Sequence, residues 1–356
     1  MLVTCDAESD ELLLEELRRC GLVRLPGTWL DTGDAVQGSI LLVESELEFG
    51  EFSEALDRFG CVFARHLAPV DYVLPLQGAE ADLETIAELV PDLAVKLDRS
   101  KSFSVQARIV GLGKLPYRKV VLNETISQQL EAATGAAMDC RSPEQVVSIL
   151  CTPETAYVGL SPVSQNRSAW PGGKHRFKRD EDQVSRAEFK LLEAIAVFGL
   201  ELPSSGLALD IGASPGGWSR VLAAHGLQVD AVDPGDLDRR LKGNRMIRHF
   251  RKRIQEYSAS SKEFGVIVND MKMDARDSIE IMLGFAGRLA RDGVAVITLK
   301  MPRMGGSASE ARAVIEMLRD DLARLASRYT IVGARQLYHN RSEVTVAMRF
   351  KSPGDS

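Results

Sequence analysis

Hydrophobic and polar positions along this chain change their period several times, and each change marks an element. An apolar run at 2–5 reads as a strand. The Leu-rich stretch at 9–20 repeats its apolar positions at three- and four-residue spacing, the mark of an amphipathic helix, and Gly21 ends it. A second apolar strand falls at 40–43. A similar alternation resumes near residue 62, with a strand at 65–73 and a helix at 82–95. The segment SFSVQARIV at 102–110 alternates strongly and reads as a strand. A helix at 119–133 and a strand pair at 146–151 and 156–160, turning at Pro153, complete this half. Residues 161–185 lose periodicity and are rich in Pro, Gly and Ser, as a linker is.

From Ser185 the pattern becomes regular. Helices are expected at 186–198, from the glycine turn to 224, at 278–290 and at 309–327. Strands are expected at 207–211, 228–233, 264–270, 294–300, 330–337 and 344–350. Strands alternating with helices predict a parallel sheet covered on both faces. The last two strands have no helix between them, which predicts an antiparallel hairpin. The fold class is therefore α/β, with a Rossmann-like C-terminal sheet behind an N-terminal α/β region. The expected divisions are a small ferredoxin-like subdomain at 1–60, a second α/β domain at 61–163, a basic linker at 164–184 and the Rossmann-like domain at 185–351.

Composition narrows the class. At 356 residues, 45% hydrophobic and 26% charged, the chain is long enough for two or three packed domains. No run approaches the length of a membrane-spanning helix. The acidic opening MLVTCDAESDELLLEEL lacks the basic and apolar regions of a signal peptide, so a cytoplasmic location is expected. Five scattered cysteines, never spaced as CxxC, fit free thiols and no metal site. The net charge of −6 hides an asymmetry: residues 1–60 hold 14 acids against 4 arginines, a local −10, so the remainder sums to +4. Nucleic acid is not excluded, because local patches decide binding.

Two features carry chemistry. The first is the glycine turn DIGASPGGW, residues 210–218, between a strand and a helix. Ligands of open α/β sheets bind outside the carboxyl ends of the strands, where Asp210 stands. Gly212, Gly216 and Gly217 allow close backbone approach and a sharp turn, and Pro215 stiffens it. The spacing is not the G-x-G-x-x-G of hydride-transfer cofactors. Asp233, at the end of the next strand, is placed to bind ribose hydroxyls of a nucleoside-containing cofactor. Taken alone, such a turn is often a mere strand-to-helix connection.

The second feature is a set of four ionisable residues: Lys190, Asp270, Lys300 and Glu343. Singly, each has an ordinary reading, as a solvated helix lysine, a turn acid, a strand-end charge and an edge-strand acid. Jointly, three of them fall at strand ends that a doubly wound sheet brings to one rim. Two lysines and two acids make a net-neutral cluster in which one lysine loses its proton more easily, because a second ammonium and partial burial disfavour the charge. Such a group suits proton removal from a weakly acidic hydroxyl, for example that of a sugar.

These residues resemble a family. SRAEFKL, DIGASPGGW, VDPG, NDM, TLK and SEVTV stand in the order found in FtsJ-like ribose 2′-O-methyltransferases, whose signature is a Lys-Asp-Lys-Glu tetrad. TLKMP and ARQLYHNRSEVTVAMR are most similar to the M-type 23S ribosomal RNA cytidine 2′-O-methyltransferases. SFSVQARIV and ETAYVGLSPVSQNRS are similar, less specifically, to the THUMP RNA-binding region of that family. The resemblance implies S-adenosyl-L-methionine as cofactor and an RNA ribose as substrate. It implies Lys300 as base, with Lys190, Asp270 and Glu343 positioning and polarising. It implies Asp210, Gly212, Ser214, Pro215, Gly216, Gly217, Trp218 and Asp233 at the cofactor. One departure stands out: where the family carries an acid near the adenine, residues 246–254 hold none, and Glu256 is only a remote candidate.

Arg239, Arg240, Lys242, Arg245, Arg248, Arg251, Lys252 and Arg253 fill an acid-free stretch that suits phosphate contact. The linker adds Arg167, Lys174, Arg176, Lys178 and Arg179, interleaved with Trp170 and Phe177, as fits single-stranded or looped RNA. Two other readings stay open. One is an RNA base methyltransferase, although Asn269-Asp-Met-Lys272 lacks the Pro-Pro-aromatic pattern of amino-methylating enzymes and no cysteine follows Cys151. The other is a noncatalytic RNA-binding or ribosome-assembly factor that retains the fold. The oligomeric state is left open.

Overall fold

In the computed structural model the described residues are 1–23, 27–33, 38–111, 115–178, 180–259 and 263–351. The chain divides into two units, Met1–Lys174 and His175–Ser356, a division that falls inside the expected linker.

The first unit holds two sheets. Strand β1 (Leu2–Cys5), helix α1 (Asp10–Arg19), β2 (Thr28–Leu30), β3 (Ser39–Leu42), α2 (Phe49–Arg58) and β4 (His66–Ala68) form an antiparallel sheet in the order β2-β3-β1-β4. This is the split β-α-β-β-α-β arrangement. Its fourth strand lies beyond the expected break at residue 60. Leu12, Leu13, Leu14 and Leu17 of α1 are buried. Helix α2 has no counterpart in the sequence reading, because Phe52, Ala55 and Leu56 are its buried apolar residues among acids. Its start is set by a capping box between Glu48 and Glu51.

Strand β5 (Tyr72–Pro75) pairs in the second sheet, so the single strand expected at 65–73 is really two strands in different sheets. Pro69, between them, has no backbone N–H to continue a ladder. The single helix expected at 82–95 is likewise two, α3 (Asp82–Ala87) and α4 (Val90–Lys96), with Pro91 in the first turn of the second. Strand β6 (Phe103–Ile109), helix α5 (Lys119–Thr134, ended by Gly135), β7 (Gln145–Cys151) and β8 (Thr155–Pro162) complete a sheet of order β5-β8-β7-β6. Phe103, Val105 and Ala107 from one face of β6 pack with Leu122, Ile126 and Leu130 of α5 in one core.

The second unit is a seven-stranded sheet. Its elements are α6 (Glu188–Val197), β9 (Leu207–Ile211), α7 (Gly217–Ala224), β10 (Gln228–Val232), β11 (Ile247–Phe250), β12 (Phe264–Asn269), α8 (Ala275–Phe285), β13 (Leu289–Lys300), α9 (Ala308–Ala326), β14 (Tyr329–Arg335) and β15 (Glu343–Phe350). The strand order is β11-β10-β9-β12-β13-β15-β14. The first five strands are parallel, and β15 runs antiparallel between β13 and β14, giving the expected hairpin. The order reverses between β9 and β12, which makes their carboxyl ends a topological switch point. Val266, Val268, Val294 and Val296 pack beneath α6 and α7 side chains such as Leu191 and Leu222. Strand β11 lies inside the basic stretch. An edge strand carrying Arg248 and His249 shows too little apolar pattern to be read as a strand.

Candidate active site

The site grows from the rim of the second sheet. Strand β9 delivers Asp210, 2% exposed, and the chain turns at once into α7. Gly212 sits at φ +75°, and a Cβ there would lie 2.4 Å from the Met271 side chain. Gly216 sits at φ +106°, and its Cβ would lie 2.3 Å from Leu241. Both positions require glycine, by backbone region and by space. The Ser219 hydroxyl donates to Asp210 at 2.6 Å. Burial pushes the Asp210 carboxyl up to about 7, against the bond from Ser219 and helped by the nearby Asp270 and Asp233 charges. Asp233 accepts the Gly235 N–H at 2.6 Å and the Ser214 N–H at 3.2 Å, which ties the end of β10 to the glycine turn.

A cavity of about 520 Å³ opens at this switch point. Gly212, Ser214, Asp233, Met271 and Asp270 line it, with Arg253, Ile254 and Gln255 on the wall that follows β11. The other residues expected at the cofactor lie elsewhere. Trp218 is 3% exposed in the core, and its indole N–H donates to the Ala187 carbonyl at 2.7 Å. A Cβ on Gly217 would meet Ser185 and Glu188. Pro215 is exposed, and its carbonyl accepts the Asp238 N–H. Gly216 holds the turn against Leu241. Glu256 is exposed and is not among the lining residues.

Beside the cavity the four ionisable residues close into a ring of alternating charge. Lys190 Nζ lies 3.2 Å from both Asp270 oxygens and 2.6 Å from Glu343 Oε2. Lys300 Nζ lies 3.0 Å from Asp270 Oδ1 and 3.0 Å from Glu343 Oε1. Lys300 and Glu343 are direct cross-strand partners in the β13–β15 register. Lys190 reaches them because α6 is fastened at its start: Arg220 pairs with Glu188 at 2.6 Å, beside the Trp218–Ala187 bond.

The charge balance at Lys190 is set by its two acidic neighbours. Burial alone would lower its pKa, but Asp270 and Glu343 outweigh burial and the net shift is upward. Lys190 is thus held as an ammonium. Sequence reasoning missed Thr298, which is fully buried. Its hydroxyl donates to Asp270 Oδ1 at 2.6 Å, and its oxygen accepts from Lys300 at 3.2 Å. The available signal was its spacing: two residues before Lys300, it shares the same strand face. Asn269 was also missed. Fully buried, it donates to Ser278 and accepts the Met271 N–H at 3.0 Å, fixing the turn that carries Asp270.

The expected RNA contacts divide. Arg167 is a correction: its side chain is 3% exposed, pairs with Asp57 and donates to the Cys61 carbonyl, so it holds the first unit together. Arg240 pairs with Asp238 and donates to the carbonyls of Gln183 and Val184. Arg251 pairs with Asp236 at 2.8 Å, and the Arg248 guanidinium lies 4.7 Å over the Phe250 ring. Arg239, Lys242 and Arg245 are exposed, Lys252 is half-buried, and Arg253 lines the cavity. In the former linker, Arg176 and Lys178 are exposed and Lys174 is half-buried, while Arg179 lies outside the described residues. Among the described residues no helix is long and apolar enough to cross a membrane. Nor is there, among them, a group of three or more side chains placed to hold a metal ion.

Fold and site together define a doubly wound α/β domain with a cavity of about 520 Å³ at its switch point and a Lys-Asp-Lys-Glu ring beside it. Residues 183–287 match the model of the family described as FtsJ-like methyltransferase. The chain is 30% identical over 218 residues to the "Ribosomal RNA large subunit methyltransferase M" of Azotobacter vinelandii, covering 60% of each chain. It is 30% identical over 199 residues to the protein of the same name from Pseudomonas aeruginosa, covering 54% of this chain and 55% of that one. The match thus spans less than two thirds of those relatives. The crystal structure of TrmN from Thermus thermophilus aligns over 98% of this chain and 99% of that one, at 17% identity and a TM-score of 0.38, too low to carry a conclusion.

Proposed function

We propose that this chain is an S-adenosyl-L-methionine-dependent methyltransferase acting on a ribose 2′-hydroxyl of RNA, with large-subunit ribosomal RNA as substrate and cytidine as target. The observation that carries the reading is the closed Lys190–Asp270–Lys300–Glu343 ring at the edge of the cavity. The residues fit the cofactor. About 520 Å³ is within the usual range for small-molecule sites. Gly212 leaves room at the turn, and Asp233 presents a carboxylate to ribose hydroxyls. Gln255 stands in the wall where the family has an acid, and its amide can accept from an adenine amine and donate to a ring nitrogen.

When bound, the cofactor supplies a methyl group already activated for in-line transfer. The protein supplies position and a base. Both lysines contact both carboxylates, so exposure and position decide between them. Lys300 is the more exposed lysine, at 22% against 15%, and ends β13 at the open rim. The 2′-hydroxyl gives its proton to the Lys300 amine as its oxygen takes the methyl. Asp270 and Glu343 orient Lys300 from two sides, and the ring is net neutral once Lys300 has taken the proton.

The reading extends to the first unit. We assign residues 61–163 as a THUMP-like RNA-binding domain behind the ferredoxin-like subdomain, and the whole as a cytoplasmic enzyme of ribosomal RNA maturation. The similarity to methyltransferases of the large-subunit RNA supports the substrate. The test is incubation with methyl-labelled S-adenosylmethionine and unmodified large-subunit RNA, beside Lys300→Ala, followed by digestion to nucleosides. Label on 2′-O-methylcytidine, absent with the variant, is expected. Label on a nucleobase would overturn the reading.

A further inference from the structure

Four rings on the second unit are used by nothing described so far. The Phe177 and Phe189 rings stack with centroids 5.7 Å apart and planes 18° from parallel. The His339 ring lies 5.7 Å from Phe177 and 5.1 Å from Phe189. Tyr338 meets His339 edge-on at 5.1 Å. All four are half-buried. Resting on the methyl-transfer reading, we propose that Phe177, Phe189, His339 and Tyr338 form a stacking platform for an unpaired RNA base that neighbours the methylated ribose.

Position is the first argument. Phe189 immediately precedes Lys190 on α6, and the Tyr338–His339 turn runs four residues later into Glu343. The rings therefore share their supports with two members of the ring of charges. The sheet order gives the side. Residues at the ends of β9, β10 and β12 line the cavity, whereas Glu343 and the turn before it belong to β15, beyond β13. Along the sheet, the cavity thus lies toward β9, β10 and β12 and the Tyr338–His339 turn toward β15, with Lys300 on β13 between them. A hydroxyl that takes a methyl in line must approach from the side away from the cofactor.

Rigidity is the second argument. Glu193, one helical turn after Phe189 and 1% exposed, accepts the N–H groups of both Tyr338 and His339 at 2.8 Å. The buried Asn340 side chain accepts from the Leu337 N–H and the Thr345 hydroxyl. A turn so fixed presents His339 and Tyr338 without further ordering.

Chemistry is the third. Rings that served only as core would be buried among apolar neighbours. Here exposed Arg176 and Lys178 flank Phe177, and Arg186 and Arg341 are exposed nearby in sequence to Phe189 and His339. Ring faces framed by cations are the composition that binds single-stranded RNA, with bases on the rings and phosphates on the cations.

The experiment uses the full chain and a short single-stranded oligoribonucleotide carrying 2-aminopurine, whose fluorescence falls on stacking. Quenching by the parent protein is expected. Phe177→Leu, which keeps bulk and loses the ring, is expected to weaken binding on the order of tenfold. Phe177→Trp is expected to restore it. S-adenosylmethionine affinity and thermal melting, unchanged in both variants, show that the fold is intact. No quenching by the parent, or equal quenching by the Leu variant, overturns the platform. Methyl transfer is scored separately. Ring-dependent quenching without transfer to any ribosomal RNA keeps the base site and sinks the methyl-transfer reading. Transfer that is insensitive to Phe177→Leu does the reverse.

Discussion

At the scale of single residues, Thr298 does the most with the least. Its hydroxyl donates to Asp270 and its oxygen accepts a hydrogen bond from Lys300, so a single buried side chain links the two charged groups. Replacing it by valine keeps the shape and leaves a carboxylate oxygen short of a donor. Thr298→Val is expected to lower kcat about 10- to 100-fold while S-adenosylmethionine affinity holds, with Thr298→Ser recovering most of the rate. An equal fall in cofactor affinity would mean that the hydroxyl supports the cavity instead. Asp210 makes a second residue-scale case. Its folded pKa of about 7 stands above the ordinary 3.8, so its stabilising protonated form is complete below about pH 4 and is lost as pH rises through 7. Glu16, also raised to about 7, carries the same sign. His66 and His175, lowered to about 3 and 4, carry the opposite one. The parent's own pH curve therefore mixes the two trends, and a difference measurement separates them. Asp210→Asn is expected to gain stability relative to the parent as pH rises from 4 to 7, by at most about 4 kcal/mol. Denaturant melts across that range check it, and a flat difference would contradict the buried-acid account.

At the scale of elements, the basic stretch around β11 is the least uniform feature of the molecule. Of its eight cations, Arg240 and Arg251 are paired with acids and Arg248 lies on a ring. Lys242 and Arg245 are exposed. Removing both, Lys242→Ala with Arg245→Ala, is expected to weaken binding to all RNAs alike and to cut the salt slope of log Kd by about 2. A selective loss for one RNA would point to base contact instead. The same stretch marks where sequence stops being legible. Charge density announces a cationic surface, but the pairing of Arg251 depends on Asp236, fifteen residues away, which only the turn after β10 brings near. Periodicity located β9, β10, β12 and β13 because their buried faces demand apolar runs, and the charges that end β12 and β13 stood out against those runs. It missed α2 and merged β4 with β5, where Pro69 breaks a ladder without breaking the apolar pattern. It missed Thr298 because a hydroxyl inside a strand looks like any β-branched residue.

At the scale of the whole molecule, charge and function are divided unequally. Residues 1–174 hold 26 Asp and Glu against 15 Lys and Arg, while 175–356 hold 24 against 29, so the first unit carries −11 and the second +5. On the proposed function, long-range attraction to RNA would come from the second unit, and the first, which repels polyanions on average, would choose among them. Each unit has its own apolar core, Phe103 with Leu122 and Ile126 in the first and Leu191 with Val266 and Val294 in the second. The cavity and the charged ring lie wholly in the second unit. A fragment of residues 175–351 is thus expected to fold, to bind S-adenosylmethionine like the full chain, and to bind unrelated RNA as tightly or more tightly at low salt. Its methyl transfer to large-subunit RNA is expected to fall at least on the order of tenfold, because discrimination, not attraction, has been removed. Filter binding with matched and unrelated RNAs, beside labelled transfer, separates the two quantities. Loss of all RNA affinity in the fragment would show that the acidic unit supplies contacts strong enough to overcome its own charge, and the division of labour would have to be reversed.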